Sequence, residues 1–155
     1  MEFISRHISY SEATKSQVAS RYGKENIPNE EQLAAMKLVA EKIFEPIREH
    51  FKRPIAVTSF FRDKSVNVLA GGSANSQHCK GEALDMDADV LGGLTNAEIF
   101  HFIRTRLLFD QLIWEFGSDK NPDWVHASYK QNRNRKQILK NRKNGYKTEY
   151  ELWIG

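Results

Sequence analysis

The chain has 155 residues, 40% of them hydrophobic and 28% charged, with a formal net charge of +3. That length suits one domain with its own core, and the composition excludes a disordered chain and a membrane span, because no apolar run approaches the ~20 residues a bilayer demands. The single cysteine, Cys79, excludes an internal disulfide and a multi-cysteine cluster, so any metal here must be held by histidine and carboxylate.

Met1 to His7 lack the basic segment and apolar stretch of a secretory signal, so a protein that is cytoplasmic at synthesis is expected. Pro28-Asn29-Glu30-Glu31 predicts a helix start, with Asn29 as cap and two glutamates at the positive end of the helix dipole. Leu33, Met36, Ala40, Phe44, Ile47 and Phe51 follow at three- and four-residue steps and form one apolar stripe, which Pro46 should bend or divide. Residues 1–52 are therefore expected to be a helical part. Ile55 to Ser59 is β-branched and alternating and reads as a strand, and Ser65 to Leu69 reads as a short helix stopped by Gly71-Gly72. Glu82 to Asp87 sets Ala83, Asp85 and Asp87 against Glu82, Leu84 and Met86, a strand with one polar face. Thr95 and Glu98 have capping-box spacing and open a helix reaching about Leu107. Leu112 to Phe116 and Trp124 to Ser128, joined by the polar loop Gly117 to Asp123, predict a hairpin. From Lys130 to Lys147 every charged side chain is basic, so residues 130–155 form a basic C-terminal segment that would favour a polyanion; the plainer alternative is a solvated helix face and tail. The order, helix first and then strands mixed with helices, implies an α+β single domain over 1–155 with a central, mostly antiparallel sheet flanked by helices.

Two of the five histidines sit in surroundings that suggest chemistry. His78 lies in a loop followed by a strand, and His126 lies late in the second hairpin strand. A catalytic zinc takes three protein ligands from such residues and leaves a fourth position open. His78, Asp85 and His126 make up such a set, with Gly81 allowing the turn that brings Asp85 back beside His78. Asp87 shares the strand face of Asp85, so spacing alone leaves both carboxylates open, one as ligand and the other as a partner orienting a histidine. His7, His50 and His101 have no ligand pattern around them, and Cys79 is expected to be a small buried apolar residue pointing away from His78.

His78-x-x-Gly81-x-Ala83-x-Asp85, followed by Trp124-Val125-His126, resembles the signature of the zinc D-alanyl-D-alanine carboxypeptidase family. That family also holds vancomycin-resistance D,D-dipeptidases and phage L-alanyl-D-glutamate endolysins. Thr58 to Arg62, Asn67, Gly71 to Ser73 and Ser76 to His78 resemble the family's stretch before its first ligand. Phe109 to Glu115 and Trp124 to Tyr129 resemble its phage and prophage branch. The resemblance implies a Hedgehog/DD-peptidase-like fold, one zinc ion held by His78, Asp85 and His126, and hydrolysis of peptidoglycan stem peptide beside a D-amino acid. Two neutral ligands and one anion leave a net positive site that acidifies water towards neutrality, and a carboxylate must then carry its proton to the leaving amine.

For that carboxylate the resemblance offers Asp123, three residues before the last histidine, and the hairpin offers Glu115, if it pairs across from His126. Arg62 matches the family arginine that grips a substrate carboxylate, Ser76 matches a serine able to hydrogen-bond substrate backbone, and Asn67, Gln77 and Ser128 are weaker matches. Trp114 and Trp124 are expected to pack the sheet. Two specificities stay open: removal of a terminal D-alanine, or endopeptidase cleavage by a lytic enzyme released by a permeabilising partner. The basic segment would then hold an anionic wall polymer, and a monomer with no nucleic-acid partner is expected. A catalytically silent wall-binding or phage structural module of the same fold is the alternative.

Overall fold

The computed structural model describes every residue from Met1 to Gly155. The N-terminal part opens with a short antiparallel pair, β1 (Phe3–Ser5) and β2 (Ile8–Ser9), before its helices begin. The helical part expected over residues 1–52 did not include this strand pair. Ile4 and Ile8, one on each strand, are buried in the main core while the residues beside them in the chain are more exposed, as alternating strand faces require. Short helices α1 (Tyr10–Thr14) and α2 (Gln17–Arg21) lead to α3 (Glu30–Val39), where Asn29 and Gln32 form the capping box.

The chain runs from α3 through a π-turn, Ala40–Phe44, into α4 (Glu45–Phe51), with Pro46 in the first turn of α4. Proline has no N–H for the Lys42 carbonyl, and the wide turn absorbs the missing α-helical bond without breaking the rod. The apolar stripe therefore stays continuous: Met36, Ala40, Phe44 and Ile47 are all buried.

Five further elements carry the chain to the hairpin. They are β3 (Ala56–Ser59), α5 (Lys64–Leu69), a 3-10 turn (Gln77–Lys80), β4 (Ala83–Asp87) and α6 (Asn96–Arg106). The hairpin β5 (Gln111–Glu115) and β6 (Trp124–Ser128) forms as expected. One six-stranded sheet results, in the order β3-β4-β6-β5-β7-β8, antiparallel except where β5 lies parallel to β7. The α+β single-domain expectation is met. Alternation gives this sheet two unlike faces. Leu84, Met86, Leu112, Trp114, Val125 and Ala127 point to the helices and join Ile43, Phe44, Ile99, Phe100 and Ile103 in one core. Asp85, His126, Ile113 and Glu115 belong to the opposite face.

The basic segment is not a helix and tail. It forms an antiparallel ribbon, β7 (Gln137–Asn144) and β8 (Lys147–Leu152), closed by a two-residue turn at Gly145-Tyr146 with Gly145 at φ +64°. Gly145 at the first turn position carried the turn signal, and the surrounding charge obscured the alternation beside it. Strand pairing also places opposite charges together. Lys140 lies 3.6 Å from Glu151 and 3.7 Å from Asp119, and Arg142 lies 3.5 Å from Glu149.

Candidate active site

Gly81 is where the metal motif turns. It ends the 3-10 turn at φ +74°, and a Cβ there would lie 2.4 Å from the Gln32 carbonyl oxygen of α3. Only glycine permits both the left-handed turn and that close approach. The chain then enters β4, where Asp85 pairs directly with His126 of β6, while His78 lies just before the turn. One ligand atom from each of His78, Asp85 and His126 lies within 4.8 Å of the others. Asp87 is drawn aside: its carboxylate accepts from the Asn96 side chain at 2.9 Å and from the Asp89 N–H at 3.2 Å.

The protons at this cluster show what it can hold. His78 Nδ1 lies 2.7 Å from the Phe60 carbonyl, which can only accept, so Nδ1–H donates and Nε2 is turned inward. Nε2 stands 3.4 Å from Asp85 Oδ1, and His126 Nδ1 stands 3.0 Å from the same oxygen. A nitrogen lone pair facing a carboxylate is unfavourable unless a proton or a metal ion lies between them. Burial opposes charge on His78, yet Asp85 and the Phe60 carbonyl together raise its pKa. Burial likewise opposes charge on Asp85, but the two imidazoles hold its carboxyl well below the usual range. Ligand atoms about 2.0–2.1 Å from a tetrahedral zinc stand roughly 3.3 Å apart, and the two histidine–carboxylate separations of 3.4 and 3.0 Å match that, so this two-histidine, one-carboxylate set fits zinc.

Glu115 sits one strand over. Its partner on β6 is Trp124, and Ile113 lies opposite His126. The expected Glu115–His126 pairing is thus off by two residues, a shift that keeps Glu115 on the same face. Glu115 is buried, and burial together with the charge of Asp85 pushes its carboxyl up to about 7. The Asn141 side chain donates to its Oε2. Asp123 stands elsewhere. It is exposed at the start of β6, its N–H donates to the Glu115 carbonyl at 2.8 Å, and its carboxylate is not part of the groove.

The groove over this face encloses about 720 Å³. Arg62 lines it on the β3 side, donating from Nη1 to Asn67 Oδ1 (3.0 Å) and from Nη2 to Ser59 Oγ (3.3 Å). Arg62 makes no ion pair; Asp63, its neighbour, caps α5 through the Ser65 N–H. Asn67 is buried and aims Arg62, with its own amide donating to the Ser73 carbonyl at 2.8 Å. Ser76 lines the groove and caps the 3-10 turn by accepting from the His78 N–H at 3.3 Å. Gln77 donates to Asp110 at 3.2 Å, and Ser128 accepts from the Gln111 N–H at 3.0 Å. Trp114 is buried in the sheet core as expected, whereas Trp124 lines the groove and packs on Phe116.

Two features gave no signal in the sequence. Asp110, fully buried, receives the backbone N–H, Nε and Nη2 of Arg135 at 3.0, 3.0 and 2.8 Å. The other is Asn141, a neutral amide outside any motif. The remaining histidines do not join the cluster: His7 contacts Glu45, His50 stacks on Phe102, and His101 packs against Trp114 and Trp153. Cys79 is buried, and burial raises its thiol. No helix is long and apolar enough to cross a membrane.

A family model described as peptidase M15 matches residues 6–128, which include every groove residue named above on β3 to β6 and stop short of β7 and β8. No curated protein matches the chain.

Proposed function

Because the chain belongs to the peptidase M15 family of metallopeptidases, we propose that it is a zinc peptidase that hydrolyses peptidoglycan stem peptide beside a D-amino acid. The observation that carries this reading is the convergence of His78, Asp85 and His126 in a groove that also holds a buried, proton-retaining Glu115. When bound, zinc supplies Lewis acidity, lowering the pKa of water and polarising a carbonyl.

The chain's own groups divide the remaining work. Phe60 holds His78 in the tautomer that turns Nε2 inward. Arg62, aimed by Asn67 and Ser59 and free of any protein carboxylate, grips a carboxylate of the peptide through its planar fork. Ser76 contacts substrate backbone at the groove wall. Glu115 takes a proton from the attacking water and returns it to the leaving amine, so that one C–N bond breaks and a carboxylate and an amine result. A carboxyl near 7 suits both transfers at neutral pH. Asp123, exposed and outside the groove, is the weaker candidate for that role.

The groove runs past Glu115 onto the ribbon, where Lys143 and Tyr150 line it, and this length favours an endopeptidase over removal of one terminal residue. The phage-type resemblance of Phe109 to Glu115 supports a lytic role at the cell wall. Lys130, Arg133, Lys136 and Lys147, which have no ion-pair partner, would contact an anionic wall polymer, and such binding should weaken with salt. The test is digestion of muropeptides by the purified protein with chelator, without it, and after zinc is restored, with the cut bond identified by mass. Metal-dependent cleavage beside a D-residue is expected; no product from any stem peptide would contradict the reading.

A further inference from the structure

We propose that Asn141 of the C-terminal ribbon is a positioning residue for Glu115, so that the ribbon completes the catalytic site. This inference rests on the reading of Glu115 as the proton carrier. Asn141 is 5% exposed and its amide is oriented without ambiguity. Its Oδ1 accepts from the Phe116 N–H at 2.8 Å, which leaves Nδ2 facing Glu115 Oε2. With Oε2 held, Oε1 is the oxygen free to exchange a proton with substrate. No other side chain hydrogen-bonds the Glu115 carboxylate.

The ribbon's register is set for this contact. After β6 the chain crosses to the far edge of β5 and enters β7 in parallel, with Glu115 beside Asn141 and Gln111 beside Gln137. The crossover is locked at its end. Arg135 makes three bonds to the buried Asp110, the Lys136 N–H donates to the Phe109 carbonyl at 3.1 Å, and the Gln137 N–H donates to the Asp110 carbonyl at 3.0 Å. Gln111 Nε2 reaches Gln137 Oε1 at 2.8 Å in the first pair of the ladder. A slip of one residue would turn Asn141 to the opposite face and put Lys140 or Arg142 beside Glu115. Two left-handed residues, Arg133 (φ 61°) and Lys136 (φ 55°), are accepted along the way.

Asn141→Asp separates positioning from support. It keeps the size and the acceptor for Phe116 but removes the donor to Glu115. With zinc content and thermal midpoint retained, kcat on a muropeptide should fall about 10- to 100-fold, KM should stay within about twofold, and the acid limb of kcat/KM should move to higher pH. A merely supporting residue would leave kcat unchanged, and that result would overturn the proposal. Asn141→Leu, which removes both bonds, should lose at least as much. The unaltered zinc-loaded protein gives a check that needs no variant: the Asn141 side-chain amide resonances should titrate together with the kinetic acid limb, and amide signals flat across that range would overturn the proposal. Glu115→Gln, run alongside, tells the two readings apart. If it still turns over, the proton-carrier reading fails; if it is dead while Asn141→Asp is unimpaired, only the positioning role fails.

Discussion

The two ends of the groove each hold a carboxyl group, and their surroundings drive the two in opposite directions. At the β4–β6 end, the half-buried Asp85 lies between two imidazoles that hold its carboxyl well below the usual range, and it stays ionised. At the β5–β7 end, Glu115 is buried against a neutral amide with the charge of Asp85 nearby, and it keeps its proton up to about 7. The same sheet face therefore offers a permanent anion to a metal and a reversible one to a proton. Burial is common to both, and the partners decide the outcome.

The sharpest way to break that contrast is to exchange the Glu115 carboxyl for an amide. Glu115→Gln should lower kcat by about 10²- to 10⁴-fold, the range general acid–base catalysis supplies. Asp123→Asn should stay within a few fold of the parent. Steady-state muropeptide cleavage checks both, and a dead Asp123→Asn enzyme would move the proton carrier to the other acid.

Next in size is Arg62→Lys, which keeps the charge and loses the fork. Losing a charge-assisted bond costs about 1.5–3 kcal/mol, or about 10- to 100-fold in kcat/KM. The loss should vanish on a substrate whose matching carboxylate is amidated. An equal loss on both substrates would make Arg62 a structural residue.

The carboxyl contrast also predicts a pH dependence of folding in the metal-free protein. Glu115 ionises near its ordinary 4.5 when unfolded and near 7 when folded, so the unfolded state gives up its proton first as pH rises. Stability should therefore fall between about pH 4.5 and 7, by about 3 kcal/mol at most. Asp85 has the opposite sign: its contribution is present above the ordinary carboxylate range and is lost as pH falls. Denaturant melts at several pH values with chelator present should show the decline, and Glu115→Gln should flatten it. An unchanged slope in Glu115→Gln would place the titrating group elsewhere.

The smallest effect is expected at the ribbon's turn. Gly145 has φ +64° with open space around it, so Gly145→Ala should cost only the left-handed strain, about 1 kcal/mol. Hydrogen exchange should show the loss in β7 and β8 alone. Loss spread through the helical core would mean that the ribbon folds with the rest of the domain.

The same two ends differ in how plainly the sequence announces them. His78, Asp85 and His126 were readable because metal binding restricts residue type, and Gly81 marks the turn between them. Asp85 was separated from Asp87 only by the resemblance, and the structure adds the reason that Asp87 is tied to Asn96. The apolar stripe from Leu33 to Phe51 and the β5–β6 hairpin were readable from periodicity. The ribbon was not. Lys140 and Arg142 occupy the alternate positions that would have shown a buried face, and their partners Glu149 and Glu151 come from a strand seven to eleven residues on. Asn141 carries no charge and fits no motif, and the Asp110–Arg135 lock joins residues 25 apart. Such contacts exist only once the sheet has chosen its strand order.

The most direct test of the account is zinc stoichiometry and muropeptide turnover measured side by side for the parent, Asp85→Ala and Glu115→Gln. The account predicts about one zinc per chain and full turnover in the parent, the loss of both in Asp85→Ala, and retained zinc with turnover lowered about 10²- to 10⁴-fold in Glu115→Gln. Turnover by Glu115→Gln within about tenfold of the parent, or zinc held undiminished by Asp85→Ala, would contradict it.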